Sequence, residues 1–210
     1  MREILLYDEI GPGYYGLLDG KWMVEQLREA GSEPVVVRIN SPGGSVFEGQ
    51  AMFTALSRHT PGVIVQIDAL AASAASFVAM AGSRIEIAKN AMIMIHNAWG
   101  GTLGNAADHE KAASVLRKID EQLVGQYVER TGQSADKVRD MMAEETWLDA
   151  SQAVELGFAD AIGKATAAKA AIRDGMFAKT PPELLVAASA VSPRVAAASI
   201  GRRLAIARAC

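Results

Sequence analysis

The chain has 210 residues, of which 50% are hydrophobic and 21% charged, a composition typical of globular proteins rather than of disordered or fibrous ones. A chain of this length can bury one sizeable core, so we expect one domain with an appendage rather than two domains. The net charge of −3 is unevenly spread, because residues 165–210 contain seven Lys/Arg against two Asp/Glu, and the acidic body therefore lacks the basic surface that binds nucleic acid.

Short apolar runs rich in β-branched residues recur along the chain and are mostly separated by helical patterns. Five of these runs are predicted to be strands, at residues 4–7, 35–39, 63–67, 85–88 and 92–95. The second and third runs contain the continuous apolar stretches Val35-Val36-Val37 and Val63-Ile64-Val65, which suit parallel strands covered on both faces. The sequence therefore predicts an α/β fold with a mostly parallel sheet flanked by helices.

Helical patterns occur at residues 20–31, 45–58, 105–130, 134–142 and 150–156. The third is conspicuously long and carries an apolar stripe that a compact core of this size would not cover, which predicts contact with a partner subunit. Gly132 is expected to end that helix, and Asp149 is expected to cap the last one. We expect the compact domain to comprise residues 1–163, followed by an Ala-rich, basic tail over 164–210 that forms a linker or weak helices.

Two turns that follow predicted strands carry small residues suited to binding a peptide carbonyl. Ser41-Pro42-Gly43-Gly44 follows the second strand, and Ser73 follows the third within an alanine-rich turn. The carboxyl ends of parallel strands meet at one edge of a sheet, so the two turns should lie together. Gly43 and Gly44 allow close approach of backbone N–H groups to an oxyanion, and Ser73 would open a helix whose positive end favours negative charge. Taken alone, the Pro-Gly-Gly motif is more typical of an ordinary strand-to-helix turn and Ser73 of tight helix packing, and Ser76 is a second candidate nucleophile.

A serine nucleophile needs a base, and histidine is the usual one. His59 lies at a solvated helix end and His109 in the polar first turns of the long helix, whereas His96 ends an apolar strand, so His96 is the predicted base. The carboxylates that could orient it are Glu144, Glu145, Asp149 and Asp160, and their spacing does not choose among them. The histidines lack metal-ligand spacing and the only cysteine is Cys210, so we expect neither a metal nor a cofactor.

With these residues identified, the chain resembles the Clp protease proteolytic subunit family, and more narrowly its phage and prophage head maturation proteases. The matching stretches are INSPGGSV at 39–46, AASAASF at 71–77, MIHN at 94–97 and SQAVELGFAD at 151–160. The resemblance implies a ClpP/crotonase-like fold with a protruding handle helix. It also implies a serine endopeptidase that cleaves peptide bonds through an acyl-enzyme intermediate.

The resemblance implies a role for each matched site residue. Ser73 would be the nucleophile and His96 the general base, with oxyanion donors at the backbone N–H groups of Gly44 and Ala74. Where the family has an aspartate two residues before an aromatic, this chain has Glu145 before Trp147, so Glu145 takes that role by position and Asp149 remains the alternative. Extended substrate would bind as an added strand beside residues 44–46 and 100–104, and the further predicted contacts are Gly43, Ser45, Val46 and Gly101.

The resemblance further implies homo-oligomeric rings, as a heptamer or a double ring, interlocked by the handle helix over residues 105–130. The substrate would be an unfolded polypeptide or a scaffold or capsid protein, and the tail would direct packaging or be removed by self-cleavage. An ATP-driven unfoldase stays open as a partner, because the amino-terminal segment is shorter than the family's. No apolar run reaches the ~18 residues of a membrane span and no signal-peptide pattern is present, so we expect the cytoplasm or a phage procapsid.

Other classes of function fit parts of the pattern. One is an inactive, scaffold-binding structural subunit of a phage particle. The other two share the fold. One is a signal-peptide peptidase, which commonly pairs Ser with Lys, although no lysine follows Ser73 before Lys89 in this chain. The other is a crotonase-like acyl-CoA enzyme, which needs no serine nucleophile. Labelling of Ser73 by a fluorophosphonate separates the last of these from a serine peptidase.

Overall fold

A computed structural model describes residues 1–11, 18–169, 172–173 and 175–186. The second Ala-rich stretch of the predicted tail, from residue 187 onward, lies outside the described residues. None of the helices among the described residues combines the length and the apolar character needed to cross a membrane.

A seven-stranded, mostly parallel sheet forms the centre of the molecule, which confirms the predicted α/β class. Its strands are β1 (Arg2–Leu6), β2 (Val35–Ser41), β3 (Val63–Ala72), β4 (Arg84–Ala88), β5 (Met92–Ile95), β6 (Thr146–Asp149) and β7 (Ala161–Gly163). The main path runs β1-β2-β3-β4-β7, and all of its neighbours pair in parallel.

The sheet forks at β3, because this strand is long enough to pair with two neighbours on the same side. Its first half, at residues 64–67, pairs with β4, and its last residues, 70–72, pair with β5. β5 in turn pairs antiparallel with β6, with Ile95 opposite Thr146. The fork therefore brings the carboxyl ends of β3 and β5 and the beginning of β6 together, outside the main path of the sheet.

Six helices cover the sheet: α1 (Gly20–Ala30), α2 (Val46–Ser57), α3 (Ala74–Ala79), α4 (Ala106–Thr131), α5 (Ala135–Ala143) and α6 (Ala150–Glu155). The five predicted helices are confirmed, with each end within one residue of its expected position. Their ends follow local chemistry: Asp149 accepts a hydrogen bond from the Gln152 N–H and caps α6, and Gly132 adopts the left-handed conformation that ends α4.

The core lies between the sheet and the helices, and it includes buried residues of all six. Its largest fully buried side chains include Phe77 of α3 and Phe158, and Phe77 stacks on Phe53 of α2 with ring centroids 4.8 Å apart. α3 is buried along its whole length, so its small residues serve tight packing as well as the turn that precedes them. The turn at Ser73 is consequently held on a rigid base.

α4 is buried over its carboxyl-terminal half alone. Leu123, Val124 and Tyr127 are buried, whereas no residue of this helix before position 123 is. The apolar stripe of the first half is only partly covered by the described residues: Ile119 packs against the core, whereas Val115 is 51% exposed.

Part of the predicted tail packs against the body. β8 (Ile172–Arg173) and β9 (Leu185–Val186) pair in parallel, and a short 3-10 helix, Pro182–Leu184, precedes β9. Ile172 is fully buried in a small cluster with Leu70, Ala72 and Met94. The division into a domain over 1–163 and a tail over 164–210 stays a prediction. Ile172, Met176, Phe177 and Leu184 pack on the forked part of the sheet.

Candidate active site

Ser73 joins β3 to α3 in a backbone conformation that side chains rarely adopt. Its φ is 53° and its ψ −126°, a region in which a residue with a Cβ is strained by about 1–3 kcal/mol. Its N–H donates to the Met94 carbonyl of β5 at 2.9 Å, which holds the turn against the neighbouring strand. A sharp strand-to-helix turn of this kind presents a serine hydroxyl at the end of a sheet.

His96 follows β5 and lies directly against this hydroxyl. The distance from His96 Nε2 to Ser73 Oγ is 2.7 Å, which is hydrogen-bond length, so a neutral imidazole in this place can take the hydroxyl proton. The parallel register that pairs Ala72 with Met94 brings the two strand ends together. The structure therefore joins the predicted nucleophile to the predicted base.

The surroundings of His96 favour its neutral form. Burial lowers the pKa of His96 below its ordinary value, while the negative charges of Glu145 and Asp120 act in the opposite direction. A lowered pKa leaves the ring unprotonated at neutral pH, which is the state in which it can act as a general base.

Glu145 immediately precedes β6 and faces the end of β5. The antiparallel register pairs Ile95 with Thr146, so the next position along each strand places His96 across from Glu145. Its carboxylate accepts hydrogen bonds from Trp147 Nε1 at 3.2 Å, from the Ala178 N–H at 2.8 Å and from the Lys179 N–H at 2.5 Å. Within the described residues no hydrogen bond joins it to His96, and its role as third member of a triad stays a prediction.

The other candidate carboxylates are engaged elsewhere. Asp149 caps α6 at the far end of β6, opposite Met92. Glu144 binds Lys179 Nζ at 2.7 Å, and Asp160 binds Arg130 at 2.6 Å. Asp149, the alternative to Glu145, therefore lies one strand length away from the His96 end of the pair.

Asp120 of α4 is a site residue that the sequence analysis missed. Its Oδ1 accepts a hydrogen bond from the Ala98 N–H at 2.7 Å, so it ties the loop after His96 to the helix. Burial raises the pKa of Asp120, and the nearby charge of His96 lowers it. The sequence feature that could have identified Asp120 is its acidic side chain, which lies between Ile119 and Leu123 of the apolar stripe.

The Pro-Gly-Gly turn lies against the Ser73 turn, as predicted. A Cβ on Gly43 would meet the Ala72 carbonyl oxygen at 2.5 Å and the Ala74 nitrogen at 2.8 Å, so only glycine permits this approach. Ile10 forms a β-bridge with this turn: its N–H donates to the Gly43 carbonyl, and its carbonyl accepts from the Ser45 N–H. The Gly44 N–H takes no part in this bridge. Ala74 is the first residue of α3, where an N–H has no acceptor within the helix.

The remaining candidates are held apart from this chemistry. Ser76 is fully buried, and its hydroxyl bonds the Ser73 carbonyl at 2.7 Å and Tyr127 Oη at 2.8 Å, so it braces the turn. His59 lies 2.8 Å from the Glu33 carbonyl, and His109 is exposed on α4. Of the three histidines, His96 is the one that contacts a candidate nucleophile.

A cavity of about 1070 Å³ extends over Ser73 and His96. One wall consists of Pro42, Gly44, Ser45 and Val46, and another of Gly100 and Gly101. The first half of α4 contributes Leu116 and Ile119, and the carboxyl-terminal segment contributes Met176 and Phe177. The size suits several residues of a polypeptide. Four predicted contacts, Gly44, Ser45, Val46 and Gly101, line this cavity, while Gly43 lies behind the turn against Ala72.

A family model described as Clp protease matches residues 2–166. The matched stretch includes both turns, His96, Glu145 and the whole of α4, and it stops before the packed segment at residues 172–186.

Proposed function

The chain belongs to the Clp protease family, and we propose that it is a serine endopeptidase with Ser73 as nucleophile and His96 as general base. Membership of this family implies a serine peptidase that acts on polypeptides and assembles as oligomeric rings. The observation that carries the residue assignment is the 2.7 Å hydrogen bond between His96 Nε2 and Ser73 Oγ on the floor of a cavity.

The proposed reaction follows from this geometry. Ser73 Oγ attacks the peptide carbonyl carbon while His96 Nε2 accepts the hydroxyl proton. The negative charge that develops on the carbonyl oxygen is stabilised by the N–H groups of Gly44 and Ala74, two residues that line the cavity together with Ser73. His96 then returns the proton to the leaving amine, and the C–N bond breaks to give the acyl-enzyme. Water, deprotonated by His96, releases the acyl group and restores Ser73.

Glu145 is the carboxylate that we propose to support His96. Two observations favour it over Asp149: its position across from His96 at the end of the β5–β6 ladder, and its charge, which raises the pKa of His96. In this role the carboxylate stabilises the imidazolium that forms when Ser73 loses its proton.

Substrate selection in this proposal depends mainly on the peptide backbone. Gly44–Val46 and Gly100–Gly101 line the cavity, and in this proposal an extended polypeptide binds beside them by strand addition. The bridge from Ile10 already occupies the other side of the Gly43–Ser45 segment, which leaves the cavity side for substrate. We propose unfolded polypeptides, or the scaffold and capsid proteins of a phage head, as the substrates.

The biological setting that we propose is head maturation of a phage or prophage, in the host cytoplasm or inside a procapsid. It is supported by the motifs at 39–46, 71–77, 94–97 and 151–160. A ring held together by α4 is supported by the partly exposed apolar stripe in the first half of that helix, which includes Val115. The need for an ATP-driven unfoldase is not part of the proposal.

The test is hydrolysis of an unfolded protein and of fluorogenic peptides by wild type and by Ser73→Ala. Loss of the nucleophile is expected to reduce kcat by about three to six orders of magnitude, with assembly unchanged by light scattering. Ser57→Ala is the matched control, because Ser57 is exposed at the end of α2, and it should retain full activity. Equal hydrolysis by Ser73→Ala and wild type would refute the assignment, and an inert wild type would favour the structural-subunit alternative.

A further inference from the structure

The segment over residues 175–179, here called the carboxyl wall, lies beyond the residues that match the Clp protease family, which end at 166. Gly175, Met176 and Phe177 nevertheless line the same cavity as Ser73 and His96. The chemistry of the site and one of its walls therefore come from different parts of the chain.

Apolar packing fixes the carboxyl wall to the sheet. Met176 and Phe177 are partly buried against the cluster formed by Leu70, Ala72, Met94 and Ile172, which also takes in Trp147 and Leu184. Ile172 has no exposed surface, and burying a side chain of this kind contributes about 1.5–3 kcal/mol. The wall is thus anchored on both sides, by Ile172 before it and by Leu184 after it.

Hydrogen bonds fix the same segment to the strand beside the catalytic pair. The N–H groups of Ala178 and Lys179 donate to the two oxygens of the Glu145 carboxylate. Lys179 Nζ also binds the Glu144 carboxylate at 2.7 Å. Because hydrogen bonds to a charged group are the stronger ones, the Glu145 contacts set the position of the backbone that carries Phe177.

Phe177 points its ring at the reaction centre. Its centroid lies 5.4 Å from that of His96, with the rings nearly perpendicular at 86°, and 5.9 Å from that of Trp147. These are edge-to-face contacts of ordinary length. The ring is packed between the general base and the indole, so it cannot turn away without losing both contacts.

We propose that Phe177, with Met176 beside it, is a specificity-determining residue that limits the size of the apolar side chain accepted next to the scissile bond. This inference rests on the proposed peptidase function. A rigid aromatic ring beside His96 takes up space that a bulky side chain of the substrate would need, while its apolar surface favours small and medium apolar residues. Discrimination by size in an apolar pocket amounts to about 10-fold to 200-fold per methylene-sized step.

The experiment compares wild type with Phe177→Ala on quenched peptides that differ only in the residues flanking the cleaved bond, set to Ala, Leu, Phe or Trp. Phe177→Ala is expected to raise kcat/KM for the Phe and Trp peptides relative to the Ala peptide by about 10-fold or more. The change should be carried mainly by KM, because the wall binds substrate and does not transfer protons. Phe177→Trp should shift the preference the other way.

Leu185→Ala is the matched control. Leu185 belongs to the same carboxyl-terminal segment but is 39% exposed and is not among the residues that line the cavity. The ratios of kcat/KM between the peptides should therefore stay within about twofold of the wild-type ratios in this variant. Thermal melting and light scattering on every variant identify any that fail to fold, and Phe177→Leu then replaces Phe177→Ala.

An active Phe177→Ala enzyme with an unchanged order of preference would overturn the inference and leave the peptidase function intact. A uniform fall in kcat on all peptides would also overturn it, since Phe177 would then only orient His96. Absence of hydrolysis by wild type would refute the proposed function, and with it this inference.

Discussion

At the scale of single residues, the site depends on a backbone conformation and a buried ring. Ser73 sits at φ 53° because α3 is packed along its length and the Met94 carbonyl holds the Ser73 N–H. The strain places the hydroxyl 2.7 Å from His96 Nε2. Burial keeps that imidazole neutral, and two carboxylates of different elements, Glu145 and Asp120, oppose the effect. The balance between burial and these charges sets the pH range in which the base works.

A pH profile tests this balance. In the proposed mechanism the base is neutral His96, so kcat/KM should fall as pH drops through its pKa, which burial places below the ordinary value of 6.5. The Glu145 charge raises that pKa, so Glu145→Gln should lower it and move the acid limb to lower pH, together with a loss of kcat. The measurement is kcat/KM from about pH 4.5 to 8.

Glu144→Gln is the neighbouring control for the pH profile. Glu144 is exposed and pairs with Lys179, so the acid limb should stay in place. An acid limb that moves to higher pH in Glu145→Gln, or that does not move, would contradict the account of the His96 environment.

The sequence was sufficient to bring Ser73, His96 and the glycine turn together as one site, because each follows an apolar strand and the ends of these strands meet at one edge of the sheet. It was not sufficient to find the partners of Glu145. Those partners are backbone N–H groups more than thirty residues later in the chain, at Ala178 and Lys179, and a backbone donor has no signature in the sequence. Asp120 was missed for a related reason, since its partner is the Ala98 N–H.

At the scale of elements, α4 combines two environments in one helix. Its second half is buried at Leu123, Val124 and Tyr127, and its first half carries an apolar stripe that the described residues cover only in part, since Val115 is 51% exposed. Leu116 and Ile119 of that stripe also line the cavity. A partly exposed apolar face beside a cavity favours assembly, because a second subunit would bury the stripe and help to enclose the site.

Leu116→Glu tests whether this face holds subunits together. A carboxylate on the apolar stripe would be desolvated in an interface, so the variant should sediment as a smaller species than wild type. Lys118→Gln is the matched control, since it makes the same change in charge at an exposed position on another face of α4 and should leave the assembly as it is. Light scattering gives the mass, and an equal mass for Leu116→Glu and wild type would contradict a role for the stripe in assembly.

Elements with a strong periodic pattern were predictable, and those defined by distant pairing were not. The five helices predicted from the sequence each begin at a residue whose side chain caps them, such as Asn105 at the start of α4. β6 is only four residues long, Thr146–Asp149, and mixes polar and apolar residues, so it becomes a strand through its antiparallel pairing with β5. β6, which the sequence analysis did not predict, is the strand whose pairing with β5 places Glu145 across from His96.

At the scale of the whole molecule, the fork in the sheet explains why the site lies where it does. β3 pairs with β4 and then with β5, and this second pairing collects the Ser73 turn, His96 and the start of β6 at one edge. The carboxyl-terminal segment then covers the same edge through Ile172 and Phe177. The fold class followed from the strand and helix patterns, whereas this covering did not, because an Ala-rich, basic composition predicts a linker and gives no sign of where it packs.

We propose Ser73 as an activated nucleophile, and a covalent probe that reacts with such serines is the direct test of this role. Assembled wild-type protein is treated with a fluorophosphonate, and the adduct is located by intact mass and peptide mapping. We expect one adduct per chain, on Ser73, and none on Ser76. In His96→Ala, labelling of Ser73 should be greatly slowed. Absence of an adduct from assembled protein, or an adduct on another residue while Ser73 stays unmodified, would contradict this role.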